Sequence, residues 1–144
     1  IHEKLFREQH VSLREFVEDM SLTFEDIFHD KELNFELSIE DVEILPEKMI
    51  TLGLLINELV TNSIKYAFND KANPRIAIDI SNNEDNSFCM TYSNNGSGIN
   101  KEAFNMDDAS LGRKLIKLLP RQLGGELMDI DYETASFLFC FKLK

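Results

Sequence analysis

The amino-acid sequence predicts an α+β fold in which one sheet packs against a layer of helices. Apolar residues recur at helical spacing in three segments and alternate with polar residues in five or six others. The strand segments come in pairs between single helices, whereas a wound parallel sheet would alternate strand and helix one at a time. With 144 residues, of which 43% are hydrophobic, the chain is long enough for one domain with its own core.

The first half of the chain predicts a helix, a strand region and a second, longer helix. Apolar residues at positions 13, 16, 17, 20, 24, 27 and 28 follow the helical period across residues 12–28. Alternation of apolar and polar residues from position 33 onward predicts one or two strands within residues 33–45. Pro46 suits the first turn of a helix, and apolar periodicity then continues to Phe68.

The second half predicts two pairs of strands separated by a polar loop and a helix. Turn-forming residues at 69–74 lead into alternating patterns at 76–80 and 88–92. Residues 93–110 contain two glycines and no periodicity, which predicts a loop. A helix is predicted from about 111 to 123, kinked by Pro120 and closed by Gly124 and Gly125. Two further strands end the chain.

Charge and cysteine content limit the possible functions. A net charge of −11 and a pI near 4.6 argue against binding to nucleic acid or to an anionic membrane surface. There is no signal peptide and no apolar run of roughly 18 residues, so we expect no membrane contact by residues 1–144 and a cytoplasmic location, with membrane attachment of a full-length protein left open. Cys89 and Cys140 lack metal-site spacing, and we expect buried, reduced thiols. The chain starts at Ile1, which suggests a piece of a longer protein.

The helix that ends in "LINELVTNSIKYAF" (residues 55–68) carries an unusual polar face. Asparagine is a poor helix former, because its amide competes for nearby backbone groups. At 100° per residue, Glu58, Asn62 and Lys65 lie opposite the apolar stripe. Thr61 and Tyr66 flank them. On this helix alone, a solvated surface and a binding site explain the pattern equally well. The apolar stripe itself comprises Leu52, Ile56, Leu59, Val60, Ser63 and Ala67.

Two later segments favour a binding site. "SNNGSGI" (93–99) follows a strand with Gly96 and Gly98, which permit a close approach of the backbone, although an ordinary turn would also explain them. In "ASLGRKLIKLL" (109–119), Ser110 can cap a helix whose first amides could receive a phosphate. The positive charges of Arg113 and Lys114 are unfavourable near the positive end of the helix dipole, and a bound anion would offset this repulsion. A capped surface helix is the simpler alternative.

In order and spacing, these segments resemble the ATP-binding catalytic domain of sensor histidine kinases. Residues 52–68 are similar to its N box, 93–99 to its first glycine box and 110–127 to its second. The larger superfamily includes type II topoisomerase, chaperone and mismatch-repair ATPases. The resemblance implies a Bergerat-type two-layer α/β sandwich, with a mixed, mostly antiparallel sheet packed against about three helices. Residues 1–10 resemble the end of a dimerisation helix hairpin, and 11–144 the catalytic domain.

The resemblance also implies roles for the N-box residues. Glu58 would be the catalytic carboxylate that orients the transferred phosphoryl group or its acceptor. Asn62 would help to bind a Mg²⁺ that bridges the triphosphate, and Lys65 would approach the phosphates. Tyr66 would pack against the nucleoside. The loop from 100 to 109 would form a lid over the phosphates.

The glycine boxes complete the implied ATP site. Asn94 takes the position of an aspartate that accepts a hydrogen bond from the adenine amino group, and Gly96 and Gly98 follow it. The second box would contribute Ser110, Leu111 and Gly112, of which only the glycine is typical of the family. Arg113 stands where the family usually has leucine.

The resemblance thus implies a kinase domain that uses Mg²⁺ and ATP to phosphorylate a histidine outside residues 1–144. The acceptor would lie on a helix hairpin, upstream or in a partner chain of a homodimer, and a response regulator would receive the phosphoryl group. A degenerate, non-catalytic binding module is the alternative. It is favoured by Asn94, by a second glycine box with a single glycine, and by Pro120. A serine kinase of the anti-sigma type shares the fold, but residues 1–10 argue against it.

Overall fold

The computed structural model describes residues 11–69, 71–83, 86–105 and 111–143. Within them, the chain forms four α-helices and seven strands, and the strands of the second half come in pairs. The helices are α1 (Leu13–Ile27), α2 (Pro46–Asn62), α3 (Lys101–Phe104) and α4 (Leu111–Gln122). The strands are β1 (Val11–Ser12), β2 (Asn34–Ile39), β3 (Glu43–Ile44), β4 (Arg75–Asn82), β5 (Ser87–Asn94), β6 (Glu126–Asp131) and β7 (Ser136–Lys142).

The main sheet has five strands in the order β2-β4-β5-β7-β6. The β2–β4 pair is parallel and the other three pairs are antiparallel, while β1 and β3 form a separate two-stranded sheet. Alternate residues of the central strands are buried, such as Ile78 on β4, Tyr92 on β5 and Phe139 on β7. They share one core with the buried residues of α1, α2 and α4. The predicted α+β sandwich with a mixed, mostly antiparallel sheet is confirmed.

Helix α2 buries six apolar side chains and then changes its helical period. Burial of a large aliphatic side chain stabilises the fold by about 1.5–3 kcal/mol. Residues Ser63–Ala67 form a π turn, in which the Phe68 amide donates to the Ser63 carbonyl at 3.1 Å. The predicted helix to Phe68 is therefore α-helical only to Asn62. Turns of this kind occur frequently at functional sites. The buried side chains are Met49, Leu52, Leu55, Ile56, Leu59 and Val60.

Two other segments differ from the sequence-based expectation. The strand region 33–45 divides into β2 and β3, because the Val42 carbonyl accepts from the Leu13 amide at 2.8 Å and the chain leaves the main sheet. The polar loop 93–110 contains the short helix α3, whose first turn is capped by the Asn100 side chain at 2.9 Å from the Ala103 amide. Neither the division of residues 33–45 into two strands nor the short helix α3 is marked by an apolar period in the sequence.

The expectation of two reduced thiols is wrong, because Cys89 and Cys140 form a disulfide. They face each other across β5 and β7, with their Cα atoms 4.1 Å apart. Both lie on the sheet face opposite the core, since Phe88 and Phe141 beside them are buried. The two residues are 51 positions apart, so only the strand register brings them together.

Helix α4 ends as the sequence predicts, with glycines after its last turn. Pro120 lies in that last turn, is buried, and is followed by only two more helical residues. Gly124 has a left-handed φ of 72°, and the Gly125 amide donates to the Pro120 carbonyl at 3.0 Å. None of the helices in the part of the chain that the structure describes has the length and apolar character needed to cross a membrane.

We expect Gly125→Ala to destabilise the protein by at least about 2 kcal/mol. A Cβ at this position would lie against the Cys140 carbonyl oxygen and 2.5 Å from the Phe141 Cα, so the backbones at the start of β6 and on β7 would have to separate. The measurement is the free energy of unfolding in urea. Gly53→Ala is the matched control, because its Cβ would meet only the tip of the Phe16 ring, and alanine favours the helix. Equal losses in both variants would contradict the prediction.

Candidate nucleotide-binding site

One cavity is lined by five of the eleven site residues that the sequence predicts. Its volume is about 260 Å³, near the lower end of the size range of small-molecule sites. It lies between the end of α2, the end of β5, helix α3 and the start of α4. Its walls are Leu59, Asn62, Ser63, Tyr66, Ala67, Asn94, Gly98, Ile99, Asn100, Ala103, Phe104, Arg113, Ile116, Ala135 and Phe137. The mixture of an apolar floor and a few polar groups is typical of ligand sites.

A chain of hydrogen bonds connects the cavity wall to the core. The Tyr92 hydroxyl donates to the Leu59 carbonyl at 3.1 Å and lies 2.7 Å from the Ser63 hydroxyl. The Asn94 side-chain NH₂ donates to the Ser63 hydroxyl oxygen at 3.0 Å, and its oxygen accepts from the Gly96 amide at 2.9 Å. Burial raises the pKa of the Tyr92 phenol well above its ordinary value, against a smaller lowering by the Ser63 hydrogen bond. The phenol therefore stays protonated.

Sequence reasoning assigned Ser63 to the apolar stripe of the helix and treated Tyr92 only as a strand residue. Both are buried, Ser63 with 5% of its surface exposed and Tyr92 with none. A serine within an apolar stripe was the available signal, because a buried hydroxyl needs a partner. The sequence did not indicate which partner it has.

The loop of the first glycine box packs against two other backbones. The Ser97 amide donates to the Ala67 carbonyl at 2.9 Å. A Cβ added to Gly96 would lie against that same carbonyl oxygen, and a Cβ added to Gly98 would lie 2.5 Å from the Tyr132 carbonyl oxygen. The loop thus packs between the π turn and the β6–β7 turn, and its backbone approaches their carbonyl groups so closely that only glycine fits at Gly96 and Gly98.

The polar face of α2 packs towards the start of α4. Glu58 and Asn62 are half-buried. A Cβ added to Gly112 would lie 2.5 Å from Glu58 Oε2 and 3.9 Å from Asn62 Oδ1, so both side-chain oxygens face this glycine. Glu58 and Asn62 are therefore not part of a fully solvated helix face. A carboxylate beside an amide oxygen suits a hard cation such as Mg²⁺.

Arg113 connects three elements at the mouth of the cavity. Its guanidinium lies over the Tyr66 ring, 4.9 Å from the centroid, and donates to the Ala103 carbonyl at 3.2 Å. The first turn of α4 is thereby linked both to α3 and to the π turn. A guanidinium stacked on an aromatic ring loses less hydration than an ammonium would at the same place.

The structure brings some of the predicted site residues together and leaves others apart. Lys65 is exposed and is absent from the cavity wall, and Leu111 is 70% exposed. Gly96 does not line the cavity but packs against Ala67, which does. Ser110 lies outside the described residues, as do residues 106–109 of the predicted lid. The predicted residues that line the cavity are Asn62, Tyr66, Asn94, Gly98 and Arg113.

The resemblance to histidine kinase ATPase domains implies that ADP binds in this cavity. We expect Gly96→Ala to weaken that binding at least tenfold, because the added Cβ would push the glycine loop away from the Ala67 carbonyl and would displace Asn94. Isothermal titration calorimetry measures the affinity. Ser97→Ala is the control, since its exposed side chain makes only a long 3.4 Å contact with the same carbonyl. Unchanged affinity in Gly96→Ala would show that the loop position does not govern binding.

Comparison with known proteins identifies the class to which this fold and site belong. The model of the histidine kinase-, DNA gyrase B- and HSP90-like ATPase family matches residues 47–136. That match covers more than half of the chain, so the chain belongs to this family. Blue-light-activated histidine kinase 2 of Erythrobacter litoralis (strain HTCC2594) is 25% identical over 95 residues. Those residues are 66% of this chain and 28% of that protein, so the chain spans about a quarter of its relative.

Solved structures of histidine kinases share the fold. The histidine kinase domain of the Erythrobacter litoralis EL346 blue-light activated histidine kinase has a TM-score of 0.80 at 20% identity, over 92% of this chain and 66% of that one. Full-length ShkA in complex with AMPPNP has a TM-score of 0.67 at 15% identity, over 92% of this chain and 30% of that one. The arrangement of helices and sheet is therefore that of histidine kinase ATPase domains.

Proposed function

We propose that this chain is the catalytic domain of a two-component sensor histidine kinase, which binds Mg²⁺ and ATP and phosphorylates a histidine outside residues 1–144. The observation that carries the proposal is the cavity in which the end of α2, the first glycine box and the start of α4 meet. The kinase names of the relatives, and the AMPPNP bound to one of them, support it.

In this proposal the base and the phosphates of ATP occupy opposite ends of the site. The nucleobase enters the apolar cavity and meets Asn94, while Tyr66 packs on the nucleoside. The phosphates extend towards the first turn of α4, where helix amides and Arg113 favour an anion. The second glycine box would contribute the amides of Ser110, Leu111 and Gly112. Lys65 is exposed in the π turn and lies outside the cavity wall, and its long side chain would extend to the phosphates.

Glu58 and Asn62 would act at the reacting end of the nucleotide. Mg²⁺ is commonly held by one or two protein oxygens together with substrate phosphates, and Asn62 offers an oxygen near the start of α4. The ion would neutralise charge on the triphosphate. Glu58, one turn earlier on the same face, would orient the phosphoryl group or the acceptor imidazole. Phosphoryl transfer requires mainly positioning and charge stabilisation, which these groups supply.

The acceptor and the downstream partner lie outside this chain in our proposal. The phosphoacceptor histidine would belong to a helix hairpin, upstream of residues 1–144 or in the second subunit of a homodimer. A cytoplasmic response regulator would then take the phosphoryl group. A degenerate binding module is the second candidate, and Asn94 favours it, since a neutral amide replaces the charged acceptor that the family usually has.

We expect ATP to bind with a Mg²⁺-dependent affinity that Asn62→Ala lowers tenfold or more. The reason is loss of an oxygen ligand on the metal, so the same variant should bind ATP nearly normally in EDTA. Calorimetric titration with ATP and ADP, with and without Mg²⁺, measures both effects. Asn57→Ala is the matched control, because this exposed asparagine on the same helix faces a groove against α1.

The same titration distinguishes the two candidates. Binding by the native chain that is lost in Asn62→Ala supports the kinase. Absence of binding by the native chain, with binding gained in Asn94→Asp, would instead support a module that has lost the ability to bind ATP.

We expect Arg113→Leu to weaken ATP binding roughly tenfold and AMP binding much less, because one charge-assisted contact to the outer phosphates is lost. Affinities for both nucleotides are measured by calorimetry. Arg121→Leu is the control, since Arg121 is exposed at the far end of α4. An equal loss for ATP and AMP would mean that Arg113 acts only through its contacts with Tyr66 and Ala103.

A further inference from the structure

We propose that Ser63 is a positioning residue that sets the amide of Asn94, so that the cavity selects 6-aminopurine nucleotides over 6-oxopurine nucleotides. The inference rests on the proposed nucleotide site and adds to it the origin of base selectivity. An aspartate at position 94 would present an acceptor from either oxygen. An asparagine presents an acceptor or a donor, depending on which way its amide is turned. Selectivity therefore requires something that holds the amide in one orientation.

The direction of the hydrogen-bond chain follows from its inner end. The Leu59 carbonyl can only accept, so the single hydroxyl hydrogen of Tyr92 is used there at 3.1 Å. Tyr92 must then accept from the Ser63 hydroxyl, 2.7 Å away. Because the Ser63 hydrogen is used in turn, its oxygen is left to accept a hydrogen bond.

The outer end of the chain is Asn94. Its NH₂ group lies 3.0 Å from the Ser63 oxygen, which can only accept, so the amide nitrogen is held on the inner side. The Gly96 amide donates to the Asn94 oxygen at 2.9 Å and favours the same orientation. All polar atoms of this buried chain have partners, and reversing the Asn94 amide would oppose two donors at Gly96.

This orientation has a consequence for the nucleobase. The Asn94 oxygen uses one lone pair for Gly96 and keeps the other for a donor in the cavity that Asn94 lines. The 6-amino group of adenine is such a donor. The 6-oxo group of hypoxanthine or guanine would instead bring an acceptor against an acceptor. Sites built to hydrogen-bond one group reject analogues in which that group is absent.

The test compares ADP with IDP by calorimetry; the two differ in the group at purine position 6, amino against oxo, and in the hydrogen that hypoxanthine carries on N1. We expect the native chain to favour ADP at least tenfold. In Ser63→Ala the amide keeps only its Gly96 contact, and the ADP to IDP affinity ratio should fall roughly fivefold, as expected for one neutral hydrogen bond. Ser21→Ala is the matched control, because Ser21 is likewise a buried serine whose hydroxyl donates a hydrogen bond, here to the Glu18 carbonyl at 2.7 Å, but it lies away from the cavity.

The Asn94→Asp background separates an effect of Ser63 on the Asn94 amide from a mere loss of packing at position 63. A carboxylate accepts from both oxygens, so adding Ser63→Ala in the Asn94→Asp background should change the ratio less than about twofold. If Ser63→Ala does not fold, Ser63→Cys retains the volume while offering only a weak acceptor, and the same fall in the ratio is expected.

The outcomes separate this inference from the proposed function. ADP binding with a ratio that is unchanged in Ser63→Ala overturns the role of Ser63 and leaves the kinase domain standing. A ratio that falls equally in both Asn94 and Asn94→Asp backgrounds also overturns it, since the effect would then not pass through the amide. Absence of ADP binding by the native chain would overturn the proposed function and this inference together.

Discussion

The site depends on α2 being packed on two sides. Its apolar stripe is buried in the core with the five-stranded sheet, and the face that carries Glu58 and Asn62 lies against the start of α4. At about 1.5–3 kcal/mol for each large aliphatic side chain, the buried stripe fixes the rotation of the helix firmly. The polar residues on the other face are consequently oriented by the core. Asparagine within a helix is unfavourable, and this packing is what outweighs its cost.

The end of α2 and the π turn that follows it form one wall of the cavity. The π turn widens the helix at Ser63–Ala67 and exposes the Ala67 carbonyl to the glycine loop. The glycines follow from that contact, since a side chain at Gly96 has no space. The hydrogen-bond chain through Ser63 then joins the same turn to β5. Strand, loop and helix end therefore form a single rigid corner, which suits recognition of a flat, apolar base with a few polar edges.

The opposite side of the cavity is built differently. Arg113 holds α3 and Tyr66 through one stacking contact and one backbone hydrogen bond, and Lys117 reaches Asn105 at 2.8 Å. These contacts join partly exposed, flexible side chains of α4 to the short helix α3 and the residue that follows it, so they are weaker than the packing of the glycine loop against the π turn. In the proposed function, the base would lie in the firmly packed part of the cavity and the phosphates beside the more loosely held part, which would favour release of the product. In the same proposal, the charge of Arg113 would compensate in part for a second glycine box with a single glycine.

The sequence by itself determined the elements and much of the site. Apolar periods predicted α1, α2, α4 and the strand pairs, because burial of one face imposes a period of 3.6 or 2 on any amphipathic element. The polar positions of the N box were visible because asparagine is a poor helix former and lies on the face opposite the apolar stripe, and the glycines because they directly follow a strand. Only the tertiary structure decided the cross-strand pairing of Cys89 with Cys140, the π turn, the stacking of Arg113 and the partners of Ser63. Each of these is set by strand register or by contacts between residues distant in the chain, and local patterns contain no information about either.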